Sequence, residues 1–422
     1  MKKIVVILLF SFLFIGCSSA RKSLVKKIDS SINSDDYNNQ FTGFLLVDIE
    51  SRDTIYNVNS TKYFTPASNT KIFTLYTSLK LLPERIPALK YIEKKDTLFV
   101  EGTGDPSFLH PSLNDSTAFK FLEKHDNVAL HLDNFNDAKF GPGWSWDDYH
   151  YYYSAERNGF PVFGNILTIQ NSDSLNILPS FFQDSIIDKE YYINRELEQN
   201  TFYFNSTQKD TVEIPLMVQK GLTKNLLENI LKKEVRLVSG MPSGEKKVLY
   251  GIQSDSVFRR MMEVSDNFLA EQLLIVGSST LSDTLNSKKS RDFILKNHLS
   301  GLRQPPRWVD GSGLSRYNLF TPESMVHILQ KLYSEIPKER LFQFFPTGGV
   351  SGTIEDWYAG NTKPYIYAKT GSLGNNHCLS GYLITNSGKT LVFSFMNNHF
   401  MESSSVIKER MQTIFEEIRD NY

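Results

Sequence analysis

The stretch TPASNTKIFTLYTSLKLL, Thr65 to Leu82, decides how the chain is read. Pro66 and small residues open it and a largely apolar run follows, so a helix is predicted from Thr65–Ser68 to about Leu82. Ser68 and Lys71 stand three apart, which puts them on one face of that helix. The lysine amine can then approach the serine hydroxyl. The helix start offers Ser68 free backbone N–H groups and a dipole that favours developing negative charge. An amine that is partly desolvated and near a second cation can lose its proton near neutral pH. Ser68 is therefore a candidate nucleophile and Lys71 a candidate base. The plain alternative is a capping serine and a surface lysine.

Two further strings follow in order. In Ser265-Asp266-Asn267 the two outer side chains can face one cleft from a tight turn. The Ser265 hydroxyl could relay a proton to a leaving amine. The Asn267 amide could hold either a substrate carbonyl or the Lys71 amine, with Asp266 turned into the structure. A simple turn or helix cap is the competing reading. The third string, Lys369-Thr370-Gly371-Ser372, is expected to end an apolar strand. Alternation puts Lys369 and Gly371 on one face and Thr370 on the other. Gly371 would let a substrate backbone lie close. Lys369 would attract a terminal carboxylate, and the Ser372 N–H could join that of Ser68 as an oxyanion hole. Alone, this string is equally an edge strand ending in a polar turn.

Together and in this order, the three strings match the signature of serine β-lactamases and penicillin-binding proteins. More specifically the chain resembles the class C low-molecular-mass penicillin-binding proteins, serine D-alanyl-D-alanine carboxypeptidases/endopeptidases. Supporting strings are Gly102-Thr103-Gly104-Asp105-Pro106, Trp308-Val309-Asp310-Gly311-Ser312-Gly313-Leu314-Ser315 and Gly348-Gly349-Val350-Ser351-Gly352-Thr353-Ile354. The long interval between Ser68 and Ser265 fits the large insertion that marks the family and argues against a plain β-lactamase. The resemblance implies an α+β fold: a β-lactamase-like transpeptidase domain, an antiparallel sheet flanked by helices, interrupted by a large, mostly β insertion. It implies that Ser68 attacks the penultimate D-alanine carbonyl of a cell-wall stem peptide while Lys71 takes the proton. Ser265, linked to Lys71 and Lys369, would protonate the leaving amine. Lys369 and Thr370 would hold the terminal carboxylate, and Asn267 the substrate backbone. β-Lactams would acylate Ser68 covalently, and no cofactor is implied.

In the family, a loop of the insertion overhangs the site. Gly141 to Tyr153 lies in that area, and Asp147 or Asp148, with Tyr152 or Tyr153, could receive the free amine of a diaminopimelate-type side chain. After the third motif the chain is more polar than its relatives. His377 and Cys378 are expected in a buried turn with no catalytic role. A β-lactamase or esterase on the same scaffold, or a non-catalytic cell-wall-binding protein, are the alternatives. Fast penicillin hydrolysis would mark the first, and muropeptide binding without cleavage the second.

Around these motifs the pattern is regular. Leu24, Val25, Ile28 and Ile32 suggest a short amphipathic helix. Phe41–Ile49 and Thr54–Val58 suggest a hairpin, and short strand-like runs dominate residues 88–245. Helical patterns return from Ser254, including one capped by Thr321-Pro322-Glu323. Tyr365–Lys369, Cys378–Thr385 and Thr390–Met396 suggest strands, and Val406–Ile418 a closing helix. The first hairpin is expected to join the late strands in one sheet. The transpeptidase-like domain would then be residues 24–87 and 246–422, with 88–245 inserted between them.

The 422 residues carry 46 basic and 47 acidic side chains, so no basic excess exists to hold a nucleic acid. Two cysteines make no disulfide framework, and scattered histidines with no HExxH make a metal centre unexpected. Met1-Lys2-Lys3 precedes an apolar run of 12 residues, Ile4 to Ile15, broken only by Ser11. A membrane-crossing anchor wants about 20, so the run reads as an export signal. Gly16-Cys17-Ser18-Ser19 after it resembles a bacterial lipoprotein processing site. That implies removal of residues 1–16, lipid on the Cys17 sulfur, and 17–23 as a tether. Such a protein would sit in the periplasm, held by lipid alone, with the outer membrane as its expected anchorage.

Overall fold

A computed structural model describes residues 21–172 and 175–422. The expected signal segment and Cys17 lie outside the described residues. Among the described residues, no helix is long and apolar enough to cross a membrane.

Helix α1 covers residues 21–32 and buries Leu24, Ile28 and Ile32, the stripe its spacing foretold. Strands β1 (Phe41–Asp48) and β2 (Thr54–Val58) form the first hairpin. A single 3₁₀ turn, Ala67–Asn69, then leads into α2 (Thr70–Leu81), whose residues Thr70 to Ser78 are all buried.

The chain next leaves this body for a second sheet. Strands β3 (Arg85–Lys94) and β4 (Thr97–Gly102) come first, then helix α3 (Thr117–Glu123) and β5 (Asn127–His131). A smaller group follows: β6 (Ile166–Asn171), β7 (Leu175–Leu178), β8 (Ile186–Asp188), β9 (Phe202–Phe204) and β10 (Val212–Pro215). Helix α4 (Lys220–Leu231), β11 (Val235–Val238) and β12 (Lys247–Gln253) close the excursion. The larger sheet has the order β11-β5-β4-β3-β12, and β10-β6-β7 and β8-β9 stand separately. The excursion is mostly β, as expected, with two helices besides. Its bordering strands reach past the anticipated limits: residue 88 falls inside β3, and β12 begins after 245.

Helices α5 (Ser254–Glu263), α6 (Asn267–Ser279), α7 (Ser287–Asn297), α8 (Pro322–Glu335) and α9 (Lys338–Phe342) bring the chain back. Thr321 caps α8 in a reciprocal capping box with Ser324. Strands β13 (Ile366–Leu373), β14 (Asn376–Ile384) and β15 (Thr390–Asn398) precede the closing helix α10 (Ser404–Asn421). The main sheet is antiparallel throughout, in the order β13-β14-β15-β1-β2. The two ends of the chain therefore meet at the β15–β1 pairing. Alternation sorts β1 between two cores. Phe44 and Leu46 pack with α1 and α10, while Leu45 and Val47 pack with α2, α6 and α8. The ring of Phe44 stacks on its register partner Phe395 at 4.4 Å.

β13 continues four residues beyond its expected end, so Lys369–Ser372 lies within the strand. Its bare position is used differently from the expectation. A Cβ on Gly371 would stand 2.2 Å from the Pro66 carbonyl oxygen and 2.8 Å from the Asn69 nitrogen. Gly371 thus admits the protein's own turn at Ser68. A methyl there must push strand and turn apart. Gly371→Ala should destabilise the protein by about 1–3 kcal/mol and lower its melting temperature; an unchanged melting temperature would contradict this packing.

Candidate active site

Ser68 occupies the 3₁₀ turn before α2, and Lys71 lies one turn further, fully buried. The Lys71 Nζ is 3.0 Å from Ser68 Oγ, 2.7 Å from Asn267 Oδ1 and 2.8 Å from the Ser312 carbonyl oxygen. Burial pulls the amine down to about 8, against the opposing pull of the Asp266, Asp310 and Glu271 carboxylates. The charged amine donates to all three oxygens, and the neutral amine fits the same partners. Two N–H bonds satisfy the two carbonyl-type oxygens, and the lone pair is left for the Ser68 hydroxyl proton.

Each partner is held from a different element. Asn267 is the first residue of α6, and the Asp266 side chain caps that helix by accepting from Leu269 N at 3.0 Å. The Asn267 Nδ2 donates to the Tyr153 carbonyl at 3.0 Å. Of the two uses foreseen for this amide, it holds the lysine. The Ser312 carbonyl is presented by the loop Trp308–Ser315. Glu271 Oε1 accepts from the backbone N–H groups of Gly311 and Ser312, at 2.9 and 2.7 Å. Asp310 accepts from Gly313 N, Ser315 N, Asn318 Nδ2 and the Trp144 indole. The loop can press onto the nucleophile turn because Gly313 has a positive φ of 86° and no side chain. A Cβ there would fall 1.9 Å from the Ala67 carbonyl oxygen.

The third motif approaches from the sheet. Asn69 Nδ2 donates to the Lys369 carbonyl at 2.8 Å, tying β13 to the turn. Lys369 is fully buried and its Nζ donates to the Thr370 carbonyl at 2.9 Å. Burial, and then the charge of Lys71, hold this amine well below the ordinary lysine range. Thr370 points the other way, and its hydroxyl donates to that of Thr353 at 2.7 Å.

A cavity of about 980 Å³ opens over these groups. Ser68, Ser265, Asn267, Thr370 and Ser372 line it together, as the motif reading required. Two details differ. Ser265, with a positive φ of 60°, makes no side-chain hydrogen bond among the described residues. The expected link to Lys71 and Lys369 is absent among the described residues: the Lys71 amine bonds Ser68, Asn267 and Ser312, and that of Lys369 the Thr370 carbonyl. Lys369 lies beneath the cavity surface, with Thr370 above it. His377 is a strand residue of β14, not a turn residue, and it borders the cavity. Its Nδ1 lies 2.8 Å from Ser372 Oγ, and burial lowers its pKa to about 3, so the ring is neutral.

The overhanging loop separates its two acids. Asp148 lines the cavity with Tyr152 and Tyr153 and accepts from the Tyr153 hydroxyl at 3.0 Å. Asp147 is exposed, turns to the Ser145 hydroxyl and does not line the cavity. Ser312, Glu271 and Asp310 were not foreseen as parts of the site. The first acts through its carbonyl, and the second is one acid within an apolar helix. The string Trp308–Ser315 marks Ser312 and Asp310 without a role, and nothing in the sequence marks Glu271.

The comparisons agree with this geometry. The sequence matches the family described as D-Ala-D-Ala carboxypeptidase 3 (S13) over residues 24–175 and 210–418. It is 30% identical over 152 residues to a D-alanyl-D-alanine carboxypeptidase DacB of Haemophilus influenzae, covering 34% of this chain and 31% of that protein. It is 23% identical to the penicillin-sensitive carboxypeptidase A of Dictyostelium discoideum, over 88% of this chain and 82% of that one. Its fold is similar to penicillin binding protein 4 (dacB) of Haemophilus influenzae, with a TM-score of 0.73 at 18% identity, covering 94% of this chain and 99% of that one. It is also similar to a predatory endopeptidase of Bdellovibrio bacteriovorus, with a TM-score of 0.53 at 14% identity, over 90% and 92% of the two chains. With the family matched over most of its length, the chain belongs to the D-Ala-D-Ala carboxypeptidase 3 (S13) family and is a serine-type D-Ala-D-Ala peptidase acting on peptidoglycan.

Proposed function

We propose that Ser68 is the nucleophile of this peptidase and Lys71 its general base. The observation that carries the reading is the 3.0 Å approach of a buried amine, lowered to about 8, to the Ser68 hydroxyl. Ser68 Oγ attacks the carbonyl of the penultimate D-alanine and its proton passes to Lys71. The tetrahedral oxyanion rests on the backbone N–H groups of Ser68 and Ser372. Such donors are each worth roughly 3–4 kcal/mol in the transition state. The proton held by Lys71 passes on to the leaving amine through the Ser265 hydroxyl, which faces the cavity without another side-chain hydrogen bond among the described residues. Thr370 meets the terminal carboxylate, with Lys369 buried beneath it. Water then releases the acyl group. Penicillins enter by the same route and stay longer as acyl-enzymes.

The same loop offers a side-chain subsite. Asp148, oriented by Tyr153 and flanked by Tyr152, is placed to receive a free amine on the acyl side. The chain's first residues support export and a lipid on Cys17, which would hold the protein at a bacterial envelope membrane, the outer membrane by our reading, with its catalytic part in the periplasm. Residues 24–84 and 254–422 form the peptidase body in this reading, and the segment between them is the insertion.

Ser68→Ala should abolish both D-alanine release and covalent penicillin labelling while leaving the melting profile intact; labelling that survives in this variant removes Ser68 as the nucleophile. For the side-chain subsite, the parent should prefer a stem peptide with a free side-chain amine over its acetylated form, by roughly tenfold in kcat/KM. Asp148→Asn should erase that preference. Equal rates on both peptides in the parent protein would rule the subsite out.

A further inference from the structure

At about 980 Å³ the cavity stands near the upper end of small-molecule sites, which run from roughly 300 to 1,000 Å³. Beside Ser265 it reaches two charged side chains that acylation does not use. Arg260 comes from α5, five residues before Ser265. Glu213 comes from β10 of the excursion. Both line the cavity.

Neither is fully satisfied within the protein. The Arg260 side chain makes no hydrogen bond among the described residues, and its Nε is buried without a hydrogen-bond partner. Its Nε forms an ion pair with Asp266 Oδ2 at 3.5 Å, while Asp266 Oδ1 caps α6; the two terminal guanidinium nitrogens have no partner among the described residues. Glu213 is half-buried and forms no side-chain hydrogen bond or ion pair among the described residues. Burial and the nearby charge of Asp266 raise its pKa, and Arg260 opposes them. The two side chains do not pair with each other. Groups desolvated this far cost free energy unless something answers them. The cavity therefore presents a guanidinium and a carboxylate to whatever lies beyond Ser265.

Ser265 serves the leaving amine, so the remainder of the leaving molecule extends from that point. A terminal D-alanine is too short to need more than Thr370 and its surroundings. A cross-linked stem differs. Its leaving amine belongs to a diaminoacyl residue that carries a whole peptide, with amide N–H groups and further carboxylates. Resting on the proposed role of Ser68 and Ser265, we infer that Arg260 and Glu213 form the binding site for the leaving stem peptide of a D-Ala–diaminoacyl cross-link, Arg260 taking a carboxylate and Glu213 accepting amide N–H groups. The bond broken is the amide between D-alanine and the diaminoacyl amine. The acyl half stays on Ser68 until water takes it, and the amine leaves protonated. This makes the chain an endopeptidase by construction as well as a carboxypeptidase.

The test uses the full chain with an uncross-linked muropeptide ending in D-Ala-D-Ala and a cross-linked dimer. Arg260→Gln and Glu213→Gln should each lose roughly tenfold in kcat/KM on the dimer, with monomer hydrolysis and penicillin acylation within about twofold of the parent. Arg260→Lys, which keeps charge but not the fork, should recover part of the dimer rate. Penicillin acylation reports that each variant is folded. Equal losses on both substrates, or an undiminished dimer rate in both Gln variants, overturn the inference. A parent protein that takes penicillin but leaves the dimer intact overturns it alone. A parent protein that penicillin does not label overturns the role of Ser68 beneath it.

Discussion

A lysine amine buried to zero exposure needs oxygen partners on all sides, and that need organises this molecule. The Nζ of Lys71 gathers a hydroxyl from the 3₁₀ turn before its helix, an amide from α6 and a backbone carbonyl from the loop Trp308–Ser315. No two of these come from the same element. Helices α2 and α6 must pack closely, and the loop must lie against the nucleophile turn. The bare Gly313 and the two N–H bonds to Glu271 allow and fix that approach. Asn69 and Gly371 then dock β13 on the same turn. Burial of Lys71 itself, working against the charges of Asp266, Asp310 and Glu271, favours the neutral state that a base requires.

The excursion is part of this support and not an appendage to it. Trp144 donates to Asp310, and the Tyr153 carbonyl accepts from Asn267. Arg157, itself buried, lies 3.4 Å from Glu271 and 3.3 Å from Asp137. Three contacts therefore run from the inserted segment to groups that hold Lys71 or the Ser312 loop. Buried ion pairs of this kind fix an arrangement more than they stabilise it. A strictly autonomous insertion would not need them.

Much of this was legible in the sequence because it is local. The helix after Ser68, the Thr321 cap, the closing helix and the five strands of the main sheet follow from periodicity and turn chemistry, and the chain-end pairing of β1 with β15 follows from them. What stayed hidden is carried by backbone atoms or by long-range approach. The Ser312 carbonyl leaves no mark in residue identity. Gly371 looked like room for a substrate, yet the room is taken by Pro66 and Asn69. Asp147 and Asp148 are equivalent as letters, and only the 3₁₀ turn containing them turns one inward. The motif order links Ser265 to the lysines, but their amines bond other oxygens. Cys378, buried behind the turn with its thiol pushed up to about 12, is unreactive packing.

The account turns on the protonation state of one buried amine. Lys71 acts as a base only when neutral, so activity should grow as pH rises through its depressed pKa of about 8. The measurement is the second-order rate of penicillin acylation of Ser68 across pH 5.5 to about 10.5, a window that spans both the depressed and the ordinary lysine values. The account predicts a rise of about tenfold per unit below 8, and a plateau above it. A rate that is flat across the range, or one that climbs only near the ordinary lysine value, would contradict it.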